Sequence, residues 1–178
     1  WVTWTFDPLL SRNAHLNIQK LGAVCNTYLP DYYGELRDEL NRGQQTDRFQ
    51  VDWWLNSTRV ASRLGRKPRN KLDLAHYLAA EVKIVNPTQL NAIGLPKPVS
   101  FSNAQWRQAT EQILLVEIPA EFNKLKTTDP ALASDWRAHS REIFSSLFSA
   151  GYIVTDFIHL PGSYPRSFYA LSYGESTL

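Results

Sequence analysis

Residues 6–24 read FDPLLSRNAHLNIQKLGAV, and the fold class turns on how this stretch is parsed. Trp1 to Phe6, just ahead of it, is aromatic and β-branched, the composition of a strand. Asp7 is a favourable N-cap. Pro8 suits the first helical position, where a missing N–H costs no helical bond. Leu10, Ala14, Ile18 and Leu21 then recur at spacings of four, four and three, which defines one apolar helix face. Lys20 falls in the last turn, and Gly22 supplies the left-handed residue that ends a helix. AVCNTYL, residues 23–29, is strand-like again.

Working outward, residues 30–48 form a long polar connection, with a helical turn expected near Leu36 to Leu40. FQVDWWL, residues 49–55, is the next strand. The same order returns in the last third. QILLVEIP, 112–119, is a strand, and Asp129-Pro130 opens a helix with the pair seen at Asp7-Pro8. Leu132, Trp136, His139, Ile143 and Leu147 mark the buried face of that helix, and Gly151 ends it. YIVTDFI and SFYALS are two further strands, joined by HLPGSYPR. A β-helix-β-β order therefore occurs at 1–55 and again at 112–173, argued from element order and caps, since identity between the halves is weak.

Residues 56–111 have a different character, that of a basic linker followed by an irregular insertion. Arg59, Arg63, Arg66, Lys67, Arg69 and Lys71 crowd together there, and a solvated connection is expected. LDLAHYLAA reads as a helical piece, EVKIV as a short strand, residues 86–101 as turn-rich, and NAQWRQAT as a short helix. The expected fold class is mixed, α/β with α+β character, a sheet covered by helices. The second β-α-β-β unit, within 112–178, is expected to pack on the first.

Composition narrows the function classes. The chain has 178 residues, 43% of them apolar, with six Trp, eight Tyr and eight Phe, which is enough for a substantial core. A net charge of +2 gives no general attraction to polyanions. Cys25 is the sole cysteine, so an internal disulfide framework is excluded and a reducing, cytoplasmic setting is expected. There is no run of about 18 apolar residues and no basic-then-apolar leader pattern, so no membrane span is expected. The absence of Met, and an opening directly on WVTWTF, lead us to expect a portion of a longer protein.

Four blocks carry a resemblance. WTFDPLLSRNAHLNIQKLGAV, YLPDYYGELRDELNRGQQTDRF, LLVEIP and DWRAHSREIF with GYIVTDF are similar, in this order, to a bacterial group of predicted acetyltransferases of the GNAT superfamily, the acetyl-CoA-dependent N-acyltransferases. The opening stretch resembles the C-terminal half of that fold. The resemblance covers most of the chain outside about 60–110. It implies a splayed mixed sheet with helices on both faces, and acetyl-CoA lying between two central parallel strands. It implies a coenzyme pyrophosphate held by backbone N–H groups at a helix start. It also implies a small amine acceptor, and a Tyr that protonates the leaving thiolate. The family's pyrophosphate loop is not found; RLGRK at 63–67 matches neither its spacing nor its place.

Residue by residue, the resemblance puts Ser11, with Asn13 nearby, where many members carry a cofactor-binding Asn, and Ala14 where a small residue lets the coenzyme approach. Ile18 stands where many members carry the Tyr acid. That departure leaves two readings open, a transferase whose acid is another group or bulk water, and a catalytically silent GNAT-like ligand- or protein-binding module. Tyr33 is the candidate replacement acid or substrate-wall residue, its alternative being loop packing. Glu117, in an apolar strand, is a candidate base, although a buried pair with Arg137 or Arg141 is the stronger expectation. Asp47-Arg48 reads as a local surface ion pair. The four His residues show no metal-ligand spacing, so no metal is expected. His139 and Cys25 read as core groups. A nucleic-acid role for residues 59–71 is the weakest reading, because no aromatic residues interleave the charges. A homodimer paired through the opening strand is a further expectation.

Overall fold

The computed structural model describes residues 1–34, 46–65, 72–99 and 112–174. The opening strand is β1 (Val2–Phe6). A four-residue helix, α1 (Ser11–Ala14), follows and continues as a π-helical stretch, His15–Lys20. Then come β2 (Val24–Leu29) and β3 (Arg48–Trp53). In the last third, β7 (Ile113–Pro119) leads through α4 (Phe122–Thr128) and α5 (Pro130–Ser149) to β8 (Tyr152–Leu160) and β9 (Arg166–Tyr173).

Both β-α-β-β units share one topology, which element order alone did not reveal. In each, the third strand inserts antiparallel between the first two, giving β1-β3-β2 and β7-β9-β8. The units then meet through their second strands. With β4 (Lys83–Ile84), the resulting seven-stranded sheet runs β1-β3-β2-β8-β9-β7-β4, symmetric about the β2–β8 junction apart from its last strand. One residue pair, Cys25 with Val154, carries the ladder across that junction. The central pairs are antiparallel. Among the described residues the parallel pairing is that of β4 (Lys83–Ile84) with β7, at the sheet margin. The two central parallel strands implied by the resemblance are not among the described residues. The β3 and β9 insertions account for this, since each separates two strands of like direction.

One face of the sheet carries the main core. Trp4, Phe6, Phe49 and Val51 from the first unit pack with Leu114, Val116, Ile118, Tyr169 and Leu171 from the second. Phe49 is the hub, its ring within 4.8–5.8 Å of Phe6, Tyr28, Phe144, Phe148 and Tyr169. Helix α5 and the α1–π segment cover this face. On the opposite face, α3 (Leu74–Ala79) sets Leu74 and Tyr77 against Leu115, Ile158, Phe168 and Ala170. Helices therefore lie on both faces. The segment read as a linker contributes α2 (Thr58–Leu64), α3, β4 and a small hairpin of β5 (Gln89–Leu90) with β6 (Pro96–Lys97). The expected turns or helices at 36–40 and 103–110 fall outside the described residues.

Punctuation follows the sequence at several ends and departs at one. Asp129 caps α5, accepting from Leu132 N at 2.9 Å, with Pro130 next. Asp73 and His76 form a capping box on α3. Asp7 does not cap α1. Its Oδ1 accepts from Leu9 N at 2.9 Å, closing a turn, and the helix starts at Ser11 after an uncapped Leu10. Gly22 has φ +73°, and a Cβ there would lie 2.8 Å from Arg63 Cγ. Both conformation and space require glycine at this point. Arg63 reaches it from α2, donating to Gln19 O at 3.0 Å and to Asp156 Oδ2 at 2.9 Å, while Arg59 donates to Gly22 O at 2.8 Å. These two arginines are therefore structural ties and not the solvated charges expected. Arg66, Lys67, Arg69 and Lys71 fall outside the described residues.

Candidate functional site

The C-terminal end of β7 opens into a cavity of about 360 Å³. It is closed by the β5–β6 hairpin, the start of α4 and the β8–β9 turn. Glu117 sits at its floor, 2% exposed. Alternation along β7 explains the placement. Val116 and Ile118 enter the core under α5, so Glu117 points to the other face. This is why neither Arg137 nor Arg141 reaches it, and the expected partner is corrected to Arg166 of β9. Arg166 donates through Nε to Oε1 at 2.6 Å and through Nη2 to Oε2 at 2.8 Å. Thr88 N donates to Oε2 at 3.0 Å. Asn86 grips the strand backbone at two points, donating to Glu117 O at 2.9 Å and accepting from Glu117 N at 2.8 Å. The bond to Glu117 raises the Arg166 pKa above its ordinary value. The carboxylate is thus engaged by three donors.

The residues implied by the resemblance lie elsewhere. Ser11 is nearly buried, its hydroxyl directed to Pro119 O at 3.4 Å. Ala14 and Ile18 are fully enclosed in the main core. Asn13 stays half-exposed. A coenzyme approaching Ser11 or Ala14 from the sheet side would meet protein atoms, so this inner helix face does not form an open slot. The π-helical stretch changes the expected face. Leu21 N bonds Leu16 O at 2.9 Å, a five-residue step. Asn17 thereby turns inward, accepting from Trp4 Nε1 at 3.1 Å, and Leu21 moves toward the margin.

Tyr33 lies on the opposite, polar side of β1, 54% exposed. Its hydroxyl is 3.3 Å from Thr5 Oγ1, Arg48 stacks 5.0 Å above its ring, and Tyr32 meets it edge-on. Thr3 pairs with Asp52 and Thr5 with Gln50 across the β1–β3 ladder, so this face presents hydroxyl, amide and carboxylate groups. Among the described residues β1 forms one margin of the sheet. Tyr33 and Glu117 have separate sets of partners, and the structure does not bring them together.

Beneath the main core lies a polar network. Arg137 forks onto Asp7 at 2.7 Å twice. Asp47, read from sequence as half of a surface pair with Arg48, is fully buried and bound instead by Arg141. Arg48 donates to the Asp47 carbonyl at 2.9 Å. Tyr28 donates to Asp47 Oδ2 at 2.7 Å and Asp31 N to Oδ1 at 2.9 Å. Burial pushes the Asp47 carboxyl up, but Arg141, Tyr28 and the Asp31 amide outweigh it and hold it below the ordinary value. Burial drives the Tyr28 phenol and the Cys25 thiol up, so both stay protonated. His139 packs edge-on against Trp136, and burial lowers it to about 4. Among the described residues, no cluster of His, Cys, Asp or Glu is placed to hold a metal ion, and no helix is long and apolar enough to cross a membrane.

Sequence reasoning missed Arg166, Thr88 and Asn86. The single available signal was Glu117 itself, an acid in an apolar strand that had to find a cation. No protein-family model, no curated protein and no solved structure matches the chain.

Proposed function

We propose that the chain is the acyl-CoA-facing portion of an N-acyltransferase that moves an acetyl group from acetyl-CoA to a small amine in the cytoplasm. The observation that carries the reading is the position of β1. It is a marginal strand among the described residues, leads through the Asp7–Leu10 turn to a helix start, and has an accessible polar face. The pantetheine arm of coenzyme A is extended and carries amides, the chemistry that pairs with a strand margin. The four resembling blocks, with the β1-α1-β2-β3 order, support the same reading.

In this reading the coenzyme supplies the thioester. The chain's contribution is to align the arm along β1, to offer the half-exposed Asn13 at the helix start, and to handle a proton. The amine nitrogen bonds to the thioester carbon, the C–S bond breaks, the amine sheds a proton and the thiolate gains one. Ile18 has no proton to give. Tyr33 is the accessible hydroxyl beside β1 and takes the role of acid in our scheme. Glu117 is assigned to structure, because three donors already hold it. The enclosed Ile18 also favours a second reading, a module that binds without transferring. Calorimetry on the protein expressed from its complete reading frame tests binding: acetyl-CoA saturates it below about 1 mM if the reading holds, and a flat titration rejects it. Thiol release across an amine panel separates the two readings, since turnover above background rejects the silent module. Tyr33→Phe lowers that turnover at least tenfold with KM for acetyl-CoA little changed, the mark of an acid needed late in the reaction.

A further inference from the structure

We propose that the cavity beyond β7 binds a small carboxylic acid with an apolar, preferably aromatic, body. This inference does not rest on the acyl-transfer reading. The cavity, about 360 Å³, falls within the size range of small-molecule sites. Leu90, Leu95, Ile118, Leu125 and Tyr164 give its wall large apolar and aromatic side chains. Its charged groups come as two pairs, Glu117 with Arg166 at the floor and Glu121 with Lys124 at the rim, the latter 3.5 Å apart.

The floor pair is oriented. Glu117 is buried and engaged by three donors, whereas the Arg166 side chain is 41% exposed. The guanidinium spends Nε and Nη2 on the carboxylate, which leaves Nη1, without a partner among the described residues, for a ligand. The pair therefore turns its positive end toward the cavity. Phe168 supports the guanidinium 4.8 Å away, so the donor group is held flat from one side and forked from another. Such a group meets an incoming carboxylate with little ordering cost. A ligand ammonium would face this cation with the floor carboxylate already occupied. The walls are fixed as well. Asn91 Oδ1 accepts from Ile93 N at 3.1 Å and Leu95 N at 2.9 Å, which sets the β5–β6 turn. Trp136 Nε1 donates to Pro96 O at 2.8 Å and ties that hairpin to α5.

The test titrates phenylacetate, phenylacetamide and phenethylamine into the intact chain, read by heat and by amide shifts of residues 117–125 and 163–166. The acid is expected to bind about tenfold or more tighter than the amide, with the amine weakest. Arg166→Gln is expected to remove that preference. Because this variant leaves Glu117 buried without its cation and can unfold, Leu90→Trp at the mouth, where Leu90 is 56% exposed, provides the second arm. It blocks the cavity without touching the floor, and its fold is checked by circular dichroism. Loss of acid binding in folded Leu90→Trp supports the proposal. The amine binding as well as the acid, acid binding unchanged in Leu90→Trp, or no binding of the acid up to about 10 mM overturns it.

Discussion

Asp7-Pro8 and Asp129-Pro130 are the same dipeptide, each placed before a helix, and they are used differently. At Asp129 the side chain caps α5 locally, bonding the amide three residues on. At Asp7 the side chain closes a turn and then leaves its own neighbourhood. It accepts a two-point fork from Arg137, 130 residues away. Arg137 rides on α5, so the helix started by the second Asp-Pro delivers the cation that holds the first. Local grammar specifies that a helix begins nearby. The long-range partner decides whether the acid serves the helix or the joint between units.

That contrast can be broken by substitution. Asp7→Ala should cost about 3–5 kcal/mol in denaturant unfolding, because Arg137 is left buried without its anion. Combining it with Arg137→Met should restore most of the loss, and a double variant no better than the single one would contradict the pairing. The two glycine stops sharpen the same comparison. Gly22→Ala should cost about 1–3 kcal/mol, through positive φ and collision with Arg63. Gly151→Ala, which carries the same positive-φ strain (φ +94°) but meets only the Tyr173 ring at 3.5 Å, should cost less. Equal losses would remove Arg63 from the explanation. Asp129→Ala should cost only about 1 kcal/mol, the worth of a cap. Last comes His139 on α5. Its folded pKa, about 4, lies below the ordinary histidine value, so its stability contribution is full at neutral pH. It is lost as pH falls from about 6.5 through about 4. Discounted for partial exposure, it amounts to roughly 1 kcal/mol, and His139→Gln should flatten that segment of the stability–pH curve.

The sequence reading recovered what periodicity encodes. Both β-α-β-β orders, the Asp129 cap, the Gly22 and Gly151 stops and the mixed class follow from spacing of two, spacing of four, and residues that favour particular dihedrals. It did not recover what depends on inserting β3 and β9 between earlier strands, because strand order is not a local property. The charged residues failed for the same reason. The sequence sets Asp47 beside Arg48, whereas Arg141, 94 positions on, holds it. Sequence proximity points Glu117 to an arginine of α5, whereas alternation along β7 turns it to Arg166 of β9. The π-helical turn at His15–Lys20 left no mark in the apolar spacing, since Ala14 and Ile18 remain inside either way. The candidate site was half legible: Glu117 was singled out, but the Arg166 and Thr88 contacts that make it a cavity floor come from distant segments.

The central functional claim is that acetyl-CoA lies along β1 and the start of α1. Hydrogen–deuterium exchange with and without acetyl-CoA addresses it most directly. The account predicts added protection at the amides of residues 2–6 and 11–14, with residues 117–125 and 163–166 unchanged. Protection confined to the second set, or none in the first at saturating coenzyme, would contradict it.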